Sequence, residues 1–231
     1  MHPLDNVIWQ ALTTRQTQFA EISGAARRFQ QDVTALCAFE NPERPDFASL
    51  AGLIDEHRTG AIFIDEPYES QPGWEFVAGA PLGQMVCENG RFAPAHADSA
   101  TEILDLGPTN SAEMLELAEL TRPGPFGTRT HELGAYVGVR SGGKLVSMAG
   151  ERMKVPGYTE VSAVCTHPDH TGRGYAAVLM SEIMRRIRER GETPFLHVRS
   201  DNTRAIAVYE RLGFRTRKQM HFAVLRRVRG E

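Results

Sequence analysis

Residues 160–177 read EVSAVCTHPDHTGRGYAA: an alternating run, a His167-Pro168 step into a glycine-spaced turn, then an amphipathic helix opening at Tyr175. A strand that hands the chain to a helix through two glycines leaves few folds open. Gly172 and Gly174 free the backbone to bend so that several amide N–H groups point the same way, and the helix starting at Tyr175 adds the positive end of its dipole. The pattern predicts an anion site, with a pyrophosphate as the first candidate.

Charge is distributed to suit that reading. The 231 residues carry a net charge of −3. From residue 171 onward, however, 14 Lys/Arg face 6 Asp/Glu, a local +8, which leaves −11 for residues 1–170. A basic end that also carries the phosphate-like turn fits attraction of a polyanionic cofactor as well as it fits solvated helix faces and a basic tail. Nucleic acid is not expected as a partner, because nothing pairs this charge with a stacking aromatic platform or a recognition helix. Hydrophobic residues at 41% and charged residues at 24% describe an ordinary globular chain. The opening MHPLDNVIWQ lacks a basic segment followed by an apolar one, and no apolar run approaches membrane-spanning length, so a cytoplasmic setting without a membrane partner is expected. Cys37, Cys87 and Cys165 are odd in number and far apart, which suggests neither a disulfide framework nor a zinc knuckle.

Two parts are expected, a smaller mixed α/β region over 1–96 and a more regular one over 97–231, joined near residues 88–99, where ENGRFAPAHADSA is small and polar. In the first part, the apolar spacing from Asp5 to Ile22 predicts a helix, Asp32–Phe39 a strand, Asp46–His57 a capped helix and Gly60–Asp65 a strand; Trp9 and Trp74 read as packing residues. In the second, strands are expected at 100–106, 135–139, 144–149, 159–166, 194–199 and 221–225, and helices at 111–121, 175–190 and 202–212.

The second part resembles the GNAT superfamily of acyl-CoA-dependent N-acyltransferases. Two blocks carry the likeness: Thr171-Gly172-Arg173-Gly174-Tyr175-Ala176, which follows the acyl-CoA motif, and NTRAIAVYERLGF at 202–214, which follows the helix-then-strand block at Asn202, Ala205, Tyr209, Gly213 and Phe214. The phrases TRPGPFGTRTHELG, MAGERM, CTHPDH and PFLHV look most like the C-terminal domains of the glycine-N-acyltransferase-like branch. Thr171 departs from the pattern, standing where Arg or Gln is usual; Arg173 is the candidate to compensate. The resemblance implies an α+β (α/β) GNAT fold: a mixed, mostly antiparallel sheet flanked by helices, in which two parallel central strands splay to admit the cofactor. It implies acetyl-CoA or another acyl-CoA as co-substrate, with pyrophosphate contacts from the amides of Gly172, Arg173, Gly174, Tyr175 and Ala176. It also implies pantetheine pairing along Val164, Cys165 and Thr166, and a polar contact from Asn202.

Acyl transfer to an amine needs a neutral nucleophile, a polarised carbonyl and a protonated leaving thiolate. Strand alternation places Glu160, Ser162, Val164 and Thr166 on one face and Val161, Ala163 and Cys165 on the other. Glu160 lies fourteen residues before Gly174, where histone-acetyltransferase relatives carry a base, and so is the first catalytic candidate, although a glutamate opening a strand is commonly an exposed hairpin residue. His197 on the neighbouring strand is a second candidate base or a cleft-lining histidine. Tyr209 matches the tyrosine that hydrogen-bonds the departing thiolate, its alternative being a core tyrosine, and the Val164 amide is the candidate oxyanion donor. Cys165 as a nucleophile, and Cys165, His167 and His170 as metal ligands, are weaker readings; no metal is expected. The acceptor, a small-molecule or peptide amine, is expected to meet residues 122–132. The N-terminal part is read as a degenerate GNAT-like half, a cover for the acceptor side or a homodimer contact. The rival to the enzyme is a non-catalytic acyl-CoA-binding or regulatory module.

Overall fold

The computed structural model describes residues 2–88 and 101–229. The expected linker therefore lies, apart from Glu88, outside the described residues, as does the boundary at 96–97. The first part runs α1 (Val7–Thr13), a hairpin of β1 (Ala20–Ser23) and β2 (Ala26–Phe29), β3 (Leu36–Phe39), α2 (Phe47–Ala51), β4 (Thr59–Ile64) and β5 (Trp74–Val86). The second runs β6 (Leu104–Leu106), α3 (Ser111–Thr121), β7 (Tyr136–Ser141), β8 (Lys144–Val155), β9 (Tyr158–Thr166), α4 (Tyr175–Glu189), β10 (Thr193–Arg199), α5 (Thr203–Arg211) and β11 (Arg215–Arg227).

All the described strands join one sheet in the order β1-β2-β3-β4-β11-β5-β10-β9-β8-β7-β6. It is mixed and mostly antiparallel, as expected, with β3–β4 and β9–β10 as the parallel pairs. Helices α4 and α5 pack on one face, where Val137, Val161, Leu179, Ile183, Leu196 and Phe214 form a core. On the opposite face, α1 packs over Leu36, Val155 and Phe195, and α3 over Tyr136, Met148 and Cys165.

Local signals explain most boundaries. Asp46 caps α2 by accepting from the Ser49 amide at 3.0 Å, and Asn202 caps α5 by accepting from the Ala205 amide at 3.1 Å. The helix expected over Asp5–Ile22 instead ends at Thr13. The hydroxyls of Thr13 and Thr14 turn back onto the carbonyls of Trp9 and Gln10, and the chain then enters a 3-10 turn and β1. The larger departure is β5, a thirteen-residue strand that lies between β10 and β11 and pairs with both. Gly79, Pro81 and Gly83 interrupt its alternation, which hides it from a periodicity reading.

Candidate active site

The turn between β9 and α4 opens a groove of about 540 Å³, and every residue lining it lies between Val164 and Arg211. Gly172 (φ 80°) and Gly174 (φ 78°) occupy the left-handed region, and a Cβ at either would point into open space. α4 has no side-chain cap at its N-terminus, so its first amides face the groove without intrahelical acceptors. Arg173 from the turn, and Arg204 and Arg211 seven residues apart on α5, line the same groove; among the described residues none of the three is paired with a carboxylate. His170 also lines it, with a shielded Nδ1 that has no hydrogen-bond partner. Free amides, three uncommitted guanidiniums and an orphaned ring nitrogen are a donor set for a polyanion. These features fit the phosphates of a CoA, with the arginines standing where Thr171 offers no charge.

Val164, Cys165, Thr166 and Tyr209 also border the groove. Burial pushes the Tyr209 phenol up to about 12, so it stays protonated and keeps its O–H to donate. Asn202 borders the groove too, but its side-chain oxygen is committed to capping α5.

β9 does not keep the alternation expected of it. Its register against β8 slips between Cys165 and Ser162, and Ala163 takes φ 52°, a strained conformation for a residue with a Cβ. Val161 and Val164 consequently both pack on the α4 face, while Ala163 and Cys165 pack on the α3 face. Glu160 therefore does not share a face with Val164: it points to the α3 side, and so does Cys165. β9 and β10 pair only from Tyr158 to Glu160 against Thr193 to Phe195, then part, so Glu160 and His197 stand where the two strands separate. Burial pushes the Cys165 thiol up to about 11, which leaves it a protonated core side chain and a poor nucleophile.

Glu160 is fully buried at 0% exposure, not an exposed hairpin residue. Its Oε1 accepts from Arg152 Nη2 at 2.7 Å and from His197 Nδ1 at 2.7 Å, and its Oε2 from Arg152 Nε at 2.8 Å and the Met153 amide at 3.3 Å. Burial alone would raise its pKa, but the charge and hydrogen bonds of Arg152, with that of His197, bring it down to about 2. Four donors on two oxygens saturate the carboxylate. His197 is saturated as well. Arg217 donates to Gln84 Oε1 at 2.8 Å, which orients that amide so that Gln84 Nε2 donates to the Leu4 carbonyl at 3.0 Å and to His197 Nε2 at 3.1 Å. The imidazole is thereby held as the neutral Nδ1–H tautomer, donating to Glu160.

The loop after α3 covers this corner. Arg122 closes α3 in the left-handed conformation (φ 51°), and Pro123, Gly124, Pro125, Phe126 and Thr130 then pack over Ser162 and Ala163. The first part of the chain holds the loop in place. The Arg129 amide donates to the Asp32 carbonyl at 2.9 Å, its guanidinium reaches Asp32 and Gln30, and the Thr130 hydroxyl donates to the Val33 carbonyl. Arg129 is thus tied within the protein.

The sequence singles out the turn, Tyr209, Glu160, His197 and, as a weak metal reading, His170; it assigns nothing to Arg152, Gln84, Tyr136, Arg204 and Arg211. Gln84 lies in a strand that the periodicity hides and Arg152 beyond the expected end of another, so only Arg204 and Arg211, two turns apart on one helix face, carry a signal in the sequence.

Residues 136–223 match the FR47-like protein family. A 128-residue stretch is 34% identical to N-alpha-acetyltransferase RimI of Mycobacterium tuberculosis, covering 49% of this chain and 80% of that protein. A solved structure of a putative acetyltransferase from the GNAT family, from Novosphingobium aromaticivorans, is 37% identical, covers 99% of this chain and 100% of its own, and superposes with a TM-score of 0.90. A GCN5-related N-acetyltransferase from Kribbella flavida shares the fold at a TM-score of 0.61 and 18% identity, with 96% of each chain covered. Among the described residues no helix is long and apolar enough to cross a membrane.

Proposed function

This chain belongs to the GNAT family of acetyltransferases and is an N-acetyltransferase, and from that premise we propose that it transfers an acetyl group from acetyl-CoA to an amine by direct attack, with both substrates held at once. The observation that carries the reading is the groove between the β9–α4 turn and α5, where free helix amides and three uncommitted arginines face one cavity. When bound, the thioester supplies an activated carbonyl: the amine nitrogen forms the new C–N bond, the C–S bond breaks, and the proton lost by nitrogen ends on the sulfur or in solvent. The protein's own part is mainly positional. Gly172, Arg173, Gly174, Tyr175 and Ala176 hold the phosphates, Val164 to Thr166 align the arm, and the Val164 amide polarises the carbonyl. Tyr209 donates a hydrogen bond to the leaving sulfur. A phenol near 12 does not surrender its proton outright to a thiolate whose thiol titrates near about 8.5, so its contribution is stabilisation.

Glu160 and His197 enter this reading as fixed scaffolding where the strands part. With every lone pair of Glu160 filled, the amine has to arrive neutral or lose its proton to solvent. The M. tuberculosis relative is named an N-alpha-acetyltransferase, which makes α-amines the first acceptors to try. The phrases at 121–134, 148–153, 165–170 and 194–198 keep the glycine-N-acyltransferase-like branch as the subfamily in this reading, and glycine among the acceptors. The test is a thermal-shift series with acetyl-CoA, longer acyl-CoAs and CoA, followed by thiol release with an amine panel. A raised midpoint with acetyl-CoA and amine-dependent thiol release are expected; no shift with any of them sinks the reading.

A further inference from the structure

The corner beneath the loop after α3 holds two polar groups that the protein leaves unused. Arg152 is 7% exposed, and it spends Nε and Nη2 on Glu160. Its Nη1 has no partner among the described residues and faces the loop, 3.8 Å from where a Cβ on Gly124 would stand. Tyr136 is 2% exposed, and its hydroxyl is buried with no hydrogen-bond partner. The ring is fixed edge-on by Phe126 of the same loop and backed by Gly150, where any Cβ would overlap it. The same loop thus meets both groups, Phe126 at the Tyr136 ring and Gly124 at Arg152 Nη1.

A buried donor without an acceptor is costly, so the Tyr136 hydroxyl calls for an oxygen from outside the chain, and Arg152 Nη1, unpaired but still open to solvent, is free to share that oxygen. Glu160 cannot supply it, being saturated. An ammonium or a polyamine brings only more donors and a like charge. A carbonyl or carboxylate brings the lone pairs that Arg152 Nη1 and the Tyr136 hydroxyl lack. The corner adjoins Ser162 and Ala163, at the parting of β9 and β10, across the sheet from the groove.

We propose that Arg152 and Tyr136 bind the oxygen next to the acceptor's amine, so that the site takes an α-amine beside a carbonyl or carboxylate, as at a peptide N-terminus or in an amino acid, in preference to lysine side chains and polyamines. The inference rests on the acetyltransferase reading and assigns these two residues as its specificity determinants. Arg152 is held rigid for this by the chain Gln84, His197 and Glu160, so the first part of the protein sets the acceptor site through a strand it contributes.

The experiment uses the full chain with acetyl-CoA and three acceptors: trialanine amide, Nα-acetyl-lysine amide and spermidine. Thiol release gives kcat and KM, and titration calorimetry of trialanine amide into the CoA-saturated protein reads acceptor binding without turnover. Trialanine amide is expected to lead in kcat/KM by about tenfold or more, and Tyr136→Phe to raise its KM about three- to tenfold. The same substitution should leave acetyl-CoA affinity unchanged and the melting midpoint equal or higher, because it removes an unsatisfied hydroxyl; a merely structural tyrosine would show no KM change. Equal use of spermidine or lysine, an unchanged KM in Tyr136→Phe, or no peptide binding to the CoA complex overturns the proposal. Failure of acetyl-CoA itself to bind overturns the transferase reading instead.

Discussion

At the scale of single residues, the Arg152–Glu160 pair separates stability from chemistry. Glu160→Gln should destabilise the fold by about 3–5 kcal/mol, because it leaves a buried guanidinium without its counter-charge, whereas Arg152→Met combined with Glu160→Gln should recover most of that loss. Denaturant unfolding of the three proteins checks both signs. The pH dependence follows from the same pair. Glu160 is held at about 2 when folded, against roughly 4.3 when unfolded, so its contribution is complete above pH ~4.3 and is lost as pH falls toward 2. A saturated carboxylate also cannot set the alkaline rise of the rate. The rising limb of kcat/KM should therefore follow the acceptor: near pH 7.7–8.0, or about there, for a peptide α-amine, and displaced when an amine of different basicity is used. A limb that stays fixed while the acceptor changes would restore a base on the protein.

At the scale of elements, the most informative joint is the one between the loop after α3 and the turn joining β2 to β3. A Cβ on Gly127 would sit 2.3 Å from the Asp32 carbonyl oxygen, a backbone atom that cannot swing aside. Gly127→Ala should push the loop off its support, cost about 1–3 kcal/mol and raise acceptor KM. Acetyl-CoA affinity should hold, because residues 164–211 alone line that groove; a parallel loss of cofactor affinity would mean that the two sides are not independent. The elements themselves were unevenly legible. α3 is readable to its ends, and so is the turn at 172–174, because helical periodicity and glycine spacing are local signals; Asn202, expected from the resemblance as a polar contact, caps α5 instead. The corner around Glu160 is built from long-range contacts. Ala163 breaks the face assignment through a bulge that only pairing with β8 reveals, and Arg152, Gln84 and Arg217 meet across strands distant in sequence.

At the scale of the whole molecule, β5 makes the two parts of the chain interdependent. It fills the position between β10 and β11, pairing with β10 from Leu82 to Val86 and with β11 along nearly its whole length. Met85, Val86 and Cys87 are buried, Met85 and Cys87 in the core beneath α4 and α5 and Val86 in the core beneath α1. A fragment beginning at residue 101 keeps every groove-lining residue, yet loses β5 together with β1 to β4, so β10 would present an open edge and β11 would have no strand neighbour, with apolar side chains uncovered. It should aggregate or remain partly unfolded and bind no acetyl-CoA, and the full chain should melt in one transition shared by far-UV circular dichroism and tyrosine fluorescence. A soluble 101–229 fragment that binds acetyl-CoA would show that the cofactor half folds alone and that β5 serves the acceptor site only. The expected outcome is the opposite, because the strand that carries Gln84 to His197 is the same strand that closes the sheet.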